Sequence, residues 1–256
     1  MKTRSLLLGV IIIIICATAT ALAIPTTITV RVKSKDAKFV GTSMGGALIT
    51  IEDVDTGKLL AKGTTTGTTG NTSTIMKAPI TRGMPISDEK SSRFTTTIDI
   101  DEPTLIEVTA YGPLAQRQSA NKVSATQWVI PGKHVTGGDA WMMELPGFVV
   151  DILTPPTHSI YNDLPETITV TANVTMMCGC PITPGGLWDA NKYKIKALMK
   201  KNGKHAGELS LKYGGKASQF TTPITIEETG VYELIVYAYD PANGNTGLDK
   251  VTFIVK

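Results

Sequence analysis

The sequence GVYELIVYAYDPANGNTG, residues 230–247, decides the fold class. Successive side chains of an extended strand point to opposite faces, so Tyr232, Leu234 and Val236 share one face here. The segment Asp240–Gly244 then has turn chemistry, because Asp and Asn side chains bond to nearby backbone and Gly takes a positive φ. A further alternating run follows the turn. This stretch therefore predicts two strands joined by a tight connection.

The same alternation recurs along the chain, and no window shows the three- and four-residue recurrence of an amphipathic helix. Threonine is very frequent, and Gly or Pro interrupts the sequence about every ten residues. Further alternating sets lie at Ile168–Val174, Tyr193–Ala197, Leu209–Tyr213 and Ile224–Ile226. Many short strands with regular turns predict an all-β protein built of two tandem antiparallel β-sandwich domains, not an α/β enzyme.

The composition and the motif search exclude several function classes. The chain has 25 basic and 22 acidic residues, a formal net charge of +3 and 42% hydrophobic residues. It is too apolar for a disordered chain, and its charge does not indicate nucleic acid as a partner. The sequence has no zincin, c-type haem or nucleophile-elbow motif, and no set of acid, base and nucleophile that would indicate catalysis.

Residues 230–255, GVYELIVYAYDPANGNTGLDKVTFIV, resemble the last two strands of bacterial and archaeal immunoglobulin-like modules. The resemblance extends over roughly residues 150–256 and is most specific in the Gly-x-Tyr-x-Leu-x-Val-x-Ala-x-Asp run. It implies an immunoglobulin-like β-sandwich with a spacer or binding role and no chemistry of its own. It also implies that Tyr232 is a corner tyrosine, whose hydroxyl bonds to backbone upstream.

The first half has a different resemblance. GALITIEDVDTGKLLAKG, residues 46–63, predicts two strands around the turn Asp55-Thr56-Gly57, and residues 106–133 predict further strands. Both segments resemble carboxypeptidase-regulatory-like, transthyretin-like β domains. The stretch between them departs from the family's pattern, and an ordinary immunoglobulin-like topology is the alternative. We expect a mobile loop within residues 66–93, because the Gly, Thr, Ser and Pro residues there offer little to bury.

The sequence predicts three parts: a signal peptide at residues 1–23, the carboxypeptidase-regulatory-like domain at 24–147 and the immunoglobulin-like domain at 148–256. The first part has a basic start, an apolar stretch and the ending Ala21-Leu22-Ala23, which indicates cleavage before Ile24. An uncleaved membrane anchor is the alternative. We therefore expect a protein that is secreted, periplasmic or on the cell surface.

The most unusual segment for chemistry is the run from Met176 to Cys180. After removal of the predicted signal peptide, Cys178 and Cys180 are the only cysteines of the sequence, in a compartment where disulfides persist. They predict a local disulfide, with an intermolecular bridge or free thiols as alternatives. Thiolate and thioether sulfurs are also soft ligands that select Cu(I), so this segment is a candidate copper site. Its sulfur ligands would be Met176, Met177, Cys178 and Cys180.

Other polar groups give less specific predictions. Asn71 and Asn173 each begin an Asn-x-Ser/Thr sequon and are candidate glycosylation sites. The three histidines are isolated in the sequence and are interpreted as surface or turn residues. The densest basic stretch runs from Lys192 to Lys204, where alternation places lysines on the outer face of a strand. The acidic clusters are typical of solvated turns, because none has the spacing of a calcium loop.

Together these observations predict an exported protein without catalysis, which has a structural or adhesive role in the cell envelope or the extracellular space. Its partner would be another envelope or extracellular protein or polymer, not nucleic acid, and a membrane only if the signal segment is retained. The alternative is an extracytoplasmic copper-binding or redox accessory protein that works through the Met-Met-Cys-Gly-Cys segment. No cofactor is expected unless that segment binds copper.

Overall fold

The computed structural model describes residues 23–256, so the predicted signal peptide lies outside the described residues apart from Ala23. The described chain is all-β, as the alternating sequence predicts, with short helical turns between strands. These turns are the 3₁₀ helices Thr42–Met44, Arg117–Ser119 and Ala190–Lys192 and the π-helix Ser73–Lys77. Among the described residues, no helix has the length and apolar character needed to cross a membrane.

The first half of the described chain forms two facing sheets. Their strands are β1 (Ile24–Ser34), β2 (Leu48–Asp53), β3 (Leu59–Thr64), β4 (Phe94–Ile100), β5 (Thr104–Gly112), β6 (Asn121–Val129) and β7 (Trp141–Leu145). One sheet has the order β4-β1-β7 and the other β3-β2-β5-β6, with β1 and β7 parallel. Alternate residues such as Val30, Ile49 and Val108 meet between the sheets and form the first core.

The second half forms a larger pair of sheets around a second core. Its strands are β8 (Phe148–Thr154), β9 (Ser159–Tyr161), β10 (Glu166–Met176), β11 (Lys194–Lys201), β12 (Lys204–Ser210), β13 (Lys212–Tyr213), β14 (Gln219–Ile226), β15 (Gly230–Tyr239) and β16 (Thr246–Val255). The orders β13-β14-β10-β8 and β12-β11-β15-β16-β9 match the D-E-B-A and C-F-G arrangement of an immunoglobulin sandwich. The immunoglobulin-like prediction for this half is confirmed by its topology.

The corner tyrosine is also confirmed. Tyr232 is buried near the start of β15, and its hydroxyl donates to the backbone oxygen of Glu228 at 2.8 Å. Its ring stacks on Phe253 of β16, with 5.2 Å between the ring centroids. The hydroxyl therefore bonds back to the turn before β15 while the ring fills the second core, as the motif requires.

Residues 66–93 have more fixed contacts than their composition suggested. Arg31 of β1 donates through Nη1 to the backbone oxygen of Ser91 at 2.7 Å, and Asp139 accepts from the backbone N–H of Ser87 at 2.8 Å. Ile75 is buried, and Met76 packs against the second core. Ile75, Ser91 and Ser92 are the buried residues of this segment, so it buries little, as its composition predicts. Polar anchors from β1 and from Asp139 nevertheless hold parts of it in place, and its mobility stays a prediction.

The two pairs of sheets meet at a short joint, Pro146-Gly147, between β7 and β8. Phe148 and Val150 belong to the second core, whereas Val149 between them belongs to the first. Adjacent residues of a strand point to opposite faces, so β8 buries one face in each core. The joint is therefore not an exposed linker, and the start of β8 serves both sandwiches.

Asn245 fixes this joint from the other side. Its side chain is buried; Oδ1 accepts from the Gly147 N–H at 2.6 Å, and Nδ2 donates to the Gly147 oxygen at 3.0 Å. Gly147 has φ +139, in the region that favours glycine, and a side chain there would collide with Met177. One amide therefore satisfies both backbone groups of a buried glycine that connects the sandwiches.

We expect Asn245→Ala to destabilise the whole described chain. Both backbone groups of Gly147 would lose their partners in a buried position, at a cost of roughly 1–3 kcal/mol. The free energy of unfolding is measured in urea, with Asn162→Ala, an exposed asparagine, as the matched control. Trp141 reports on the first core and Trp188 on the second. Two separate fluorescence transitions in the native protein would contradict the shared joint.

Candidate functional site

The cysteine segment forms a tight turn at the end of β10. The Gly179 N–H donates to the Met176 oxygen at 2.7 Å, and the Met176 N–H donates to the Cys180 oxygen at 3.1 Å. Gly179 has φ +76, which lets the backbone reverse without a Cβ clash. The turn brings the Cα atoms of Cys178 and Cys180 to 5.4 Å, and the structure joins their sulfurs as a disulfide.

The two predicted methionine ligands point in opposite directions. Met176 and both cysteines are buried in the second core, whereas Met177 is buried in the first. Neighbouring residues at the end of a strand face opposite sides, so the Met-Met pair straddles the boundary between the sandwiches. The structure therefore brings Met176 into the same apolar cluster as the cysteines and takes Met177 away from it.

A third methionine, Met44, lies over the cysteine turn. A Cβ built on Gly179 would stand only 2.7 Å from the Met44 sulfur, so this thioether packs directly on the backbone between the two cysteines. Met44 ends the helix Thr42–Met44 in the first half and is half-buried against the first core. A single methionine in GTSMGG carries no periodic or spacing signal, so the sequence does not predict this contact.

The chain after the turn contributes a cavity at the same boundary. The Trp188 indole N–H donates to the backbone oxygen of Asp36 at 2.9 Å, which ties this loop to the first half. Beside that bond is a cavity of about 550 Å³, and Asp36, Asp189, Tyr193 and Asp240 are among its lining residues. Tyr193 packs edge-on against Phe148, with 5.1 Å between the ring centroids.

Burial and hydrogen bonding shift the pKa values of the titratable groups around this cavity in opposite directions. Burial raises the pKa of Tyr193 to about 12, and the nearby carboxylates of Asp240, Asp36 and Asp189 add to the shift. Burial and the Asp240 charge also raise the pKa of Asp36. The pKa of Asp189 is lowered, because its carboxylate accepts from the backbone N–H groups of Gly185 and Asn191. The cavity therefore disfavours additional negative charge.

The other predicted site residues are spread over the surface. Asn71 is exposed, and its Oδ1 accepts from the Ser73 N–H at 2.8 Å. Asn173 is half-buried in the middle of β10, opposite Asp151 and Gln219. Asn173 lies five positions before Cys178, on the strand that leads into the cysteine turn, whereas Asn71 is in the first half. The glycosylation of both residues stays a prediction.

Three of the six lysines in the lysine-rich stretch Lys192 to Lys204 are paired with acidic side chains. Lys200 contacts Glu233 with 2.7 Å between Nζ and Oε1. Two further pairs join Lys196 to Glu208 and Lys201 to Glu228. These partners neutralise much of the basic strand, so it offers less free positive charge than its sequence suggested.

Hard-metal or zinc ligation finds no support in the geometry of the described residues. Within residues 23–256, His, Cys, Asp and Glu side chains do not come together in any group of three or more that could hold an ion. His134 instead accepts a hydrogen bond at Nδ1 from the Thr27 N–H at 3.0 Å. Near the cysteine pair, Met176 lies in the same apolar cluster, and Met44 packs on Gly179 between the two cysteines.

Comparisons with known proteins find similar structures only. No family model and no curated protein matches the chain. The fibronectin(III)-like modules of CbhA from Clostridium thermocellum are 13% identical, over 82% of this chain and 77% of theirs, with a TM-score of 0.30. The tip fimbrial protein Mfa3 from Porphyromonas gingivalis is 10% identical over 88% and 81%, with a TM-score of 0.28.

Two further similar structures differ in the share of their own chains that the match covers. The I-band fragment I67-I69 of titin is 11% identical over 91% of this chain and 66% of that chain, with a TM-score of 0.26. An engineered protein is 18% identical over 50% of this chain and 24% of that chain, with a TM-score of 0.33. This chain thus spans about a quarter of the engineered protein, and the immunoglobulin-like assignment rests on the strand order.

We expect Tyr193 to make the protein sensitive to alkali. In the unfolded chain a tyrosine ionises near pH 10, whereas folded Tyr193 keeps its proton to about 12. Between these values the native state binds more protons than the unfolded state, so stability falls as the pH rises. Urea unfolding at pH 8 to 12 should show a smaller loss for Tyr193→Phe than for the native protein.

Asp240→Asn is the second variant for this test. It removes a carboxylate that raises the pKa of Tyr193, so the alkaline loss of stability should also become smaller. Equal pH dependence of the native protein and Tyr193→Phe would show that this tyrosine does not titrate as its surroundings require.

Proposed function

We propose that this protein is an exported, non-catalytic module that spaces or binds a partner in the cell envelope or the extracellular space. The observation that carries the proposal is the buried joint: β8 serves two cores, and Asn245 clamps Gly147. A joint of this kind holds two sandwiches as one unit with a fixed geometry, which is what a spacer or a presenting module needs. The cysteine pair suits an oxidising compartment.

We also propose the division made from the sequence, with the first unit ending at Gly147 and the second beginning at Phe148. The first unit would be of the carboxypeptidase-regulatory-like, transthyretin-like class. In support, β2 and β3 form the hairpin around Asp55-Thr56-Gly57 that this resemblance implies, and β5 and β6 supply its later strands. The similar structures include a fimbrial tip protein and fibronectin(III)-like modules, which are compatible with a binding role.

This function is tested first by the location of the protein in the cell and then by the binding of the purified protein. Fractionation of the source cells should recover the protein in the envelope or the medium, with Ile24 as the first residue by mass spectrometry. The purified protein should then bind isolated envelopes or extracellular polymer in a saturable way, and heat-unfolded protein is the control. Recovery in the cytosol, or no saturable binding to either fraction, would contradict the proposal.

Copper binding is the second candidate function, and the position of Met44 favours it. Its thioether packs on Gly179, the residue between Cys178 and Cys180, so the reduced turn would offer two thiolates flanking a backbone position that a third soft sulfur covers. Reduction adds two electrons and two protons to the disulfide and yields two thiols. Cu(I) then replaces both thiol protons when it binds the sulfurs.

We expect the phosphine-reduced protein to bind one Cu(I) per chain in competition with a chromophoric Cu(I) chelator, without oxygen. Met44→Leu keeps the volume but removes the sulfur, and we expect it to weaken binding roughly tenfold. Cys178→Ser should abolish binding, and Met142→Leu, on β7, is the matched control. Failure to compete with the chelator, or equal affinity of Met44→Leu and the native protein, would contradict this site.

A further inference from the structure

The strand β6 has a free edge. It is an outer strand of its sheet, and β5 is the strand of the described chain that pairs with it, in an unbroken register from Thr104↔Val129 to Gly112↔Asn121. Every residue from Asn121 to Trp128 except Val123 is exposed, and the Trp128 side chain is 58% exposed. Such an edge presents backbone groups that another strand can pair with.

The hydrogen bonds of the sheet show which backbone groups of β6 face outward. The Leu105 oxygen accepts from the Val54 N–H, so Leu105 points away from β6. In antiparallel strands both polar groups of a residue point to the same side, and the sides alternate along the strand. Leu105 lies opposite Trp128. The outward residues of β6 are therefore Lys122, Ser124, Thr126 and Trp128.

Several other outer strands of the described chain have features that prevent edge pairing. The pairings of β3 and β12 contain irregular registers, at Ile51/Glu52 and Met199/Lys200. On β8, the N–H groups of Val150 and Ile152 are taken by Ser119 and Asp249 side chains. β6 instead is regular, has no proline and carries one charged residue, Lys122. Bulges, occupied N–H groups and multiple charges are the usual protection of an edge, and β6 has almost none of it.

We propose that two copies of this chain associate by pairing their β6 strands antiparallel about a twofold axis at Ala125. This register aligns residues 121–129 of one copy with residues 129–121 of the other, so all nine positions are paired. It also places the outward residues opposite one another, Lys122 with Trp128 and Ser124 with Thr126 of the second copy. About eight interchain backbone hydrogen bonds then form, and the two four-stranded sheets become one.

Charge complementarity selects a second copy of this chain as the occupant. In this register Lys122 faces the exposed Trp128 of the second copy on the outer face of the sheet, and the symmetric contact forms at the other end. An ammonium group over an indole ring is attractive, and no like charges are opposed. On the other face, exposed Ala125 meets its own copy at the axis, where side chains of a non-hydrogen-bonded pair are close.

The test is the mass of the purified protein in solution, measured by light scattering and sedimentation at about 1 to 100 µM, a range that spans weak and moderate dimer affinities. We expect a dimer that Trp128→Lys weakens roughly tenfold or more, because the introduced lysine then opposes Lys122 at both ends. The double variant Lys122→Glu/Trp128→Lys should restore the dimer. In this register the lysine introduced at position 128 of one copy would face the carboxylate introduced at position 122 of the other. Circular dichroism and urea unfolding confirm that each variant is folded.

A covalent readout checks the position of the axis. Ala125→Cys should form a disulfide-linked dimer on a non-reducing gel, because the two Ala125 Cα atoms lie within bridging distance in this register. Ala206→Cys, an exposed alanine on the outer strand β12, is the matched control and should stay monomeric on that gel. A native protein that is monomeric at the highest concentration would overturn the proposal. A dimer unaffected by Trp128→Lys and not linked by Ala125→Cys would overturn it as well.

Discussion

The structure depends on the burial of both faces of the chain where β7 passes into β8. Phe148 and Val150 fill the second core while Val149 fills the first, and each such side chain contributes about 1.5–3 kcal/mol when it leaves water. A strand shared in this way cannot separate from one sandwich without exposing apolar surface of the other. We therefore expect the two sandwiches to unfold together, although each has its own pair of sheets.

The chemistry-bearing groups of the protein owe their arrangement to this joint. Met177, directly after β10, enters the first core, so the cysteine turn that follows it must lie at the boundary. There Met44 covers Gly179, and the Asp36 backbone accepts from Trp188. Sulfur, carboxylate and aromatic groups from both halves thus meet at one boundary, because the same side chains that build the cores fix the loops beside them.

The sequence predicts the strands well, because a strand that buries every second residue must show that alternation. The corner role of Tyr232 and the hairpin around Thr56 also follow from local residues. Asn245 is different: within DPANGNTG it has the appearance of a solvated turn residue, but its partner Gly147 is 98 positions away. Met44 and the anchoring of residues 66–93 by Arg31 likewise depend on distant partners, which no local pattern records.

The cysteine pair is a poor candidate for the source of this stability. Its cysteines are two positions apart, and in the chain-entropy model so small a loop gains only about 1.6 kcal/mol from the cross-link, comparable to one buried core side chain. The cores and the joint already hold the turn in place. The value of the cysteine pair must therefore lie in the local geometry of the turn or in the chemistry of sulfur.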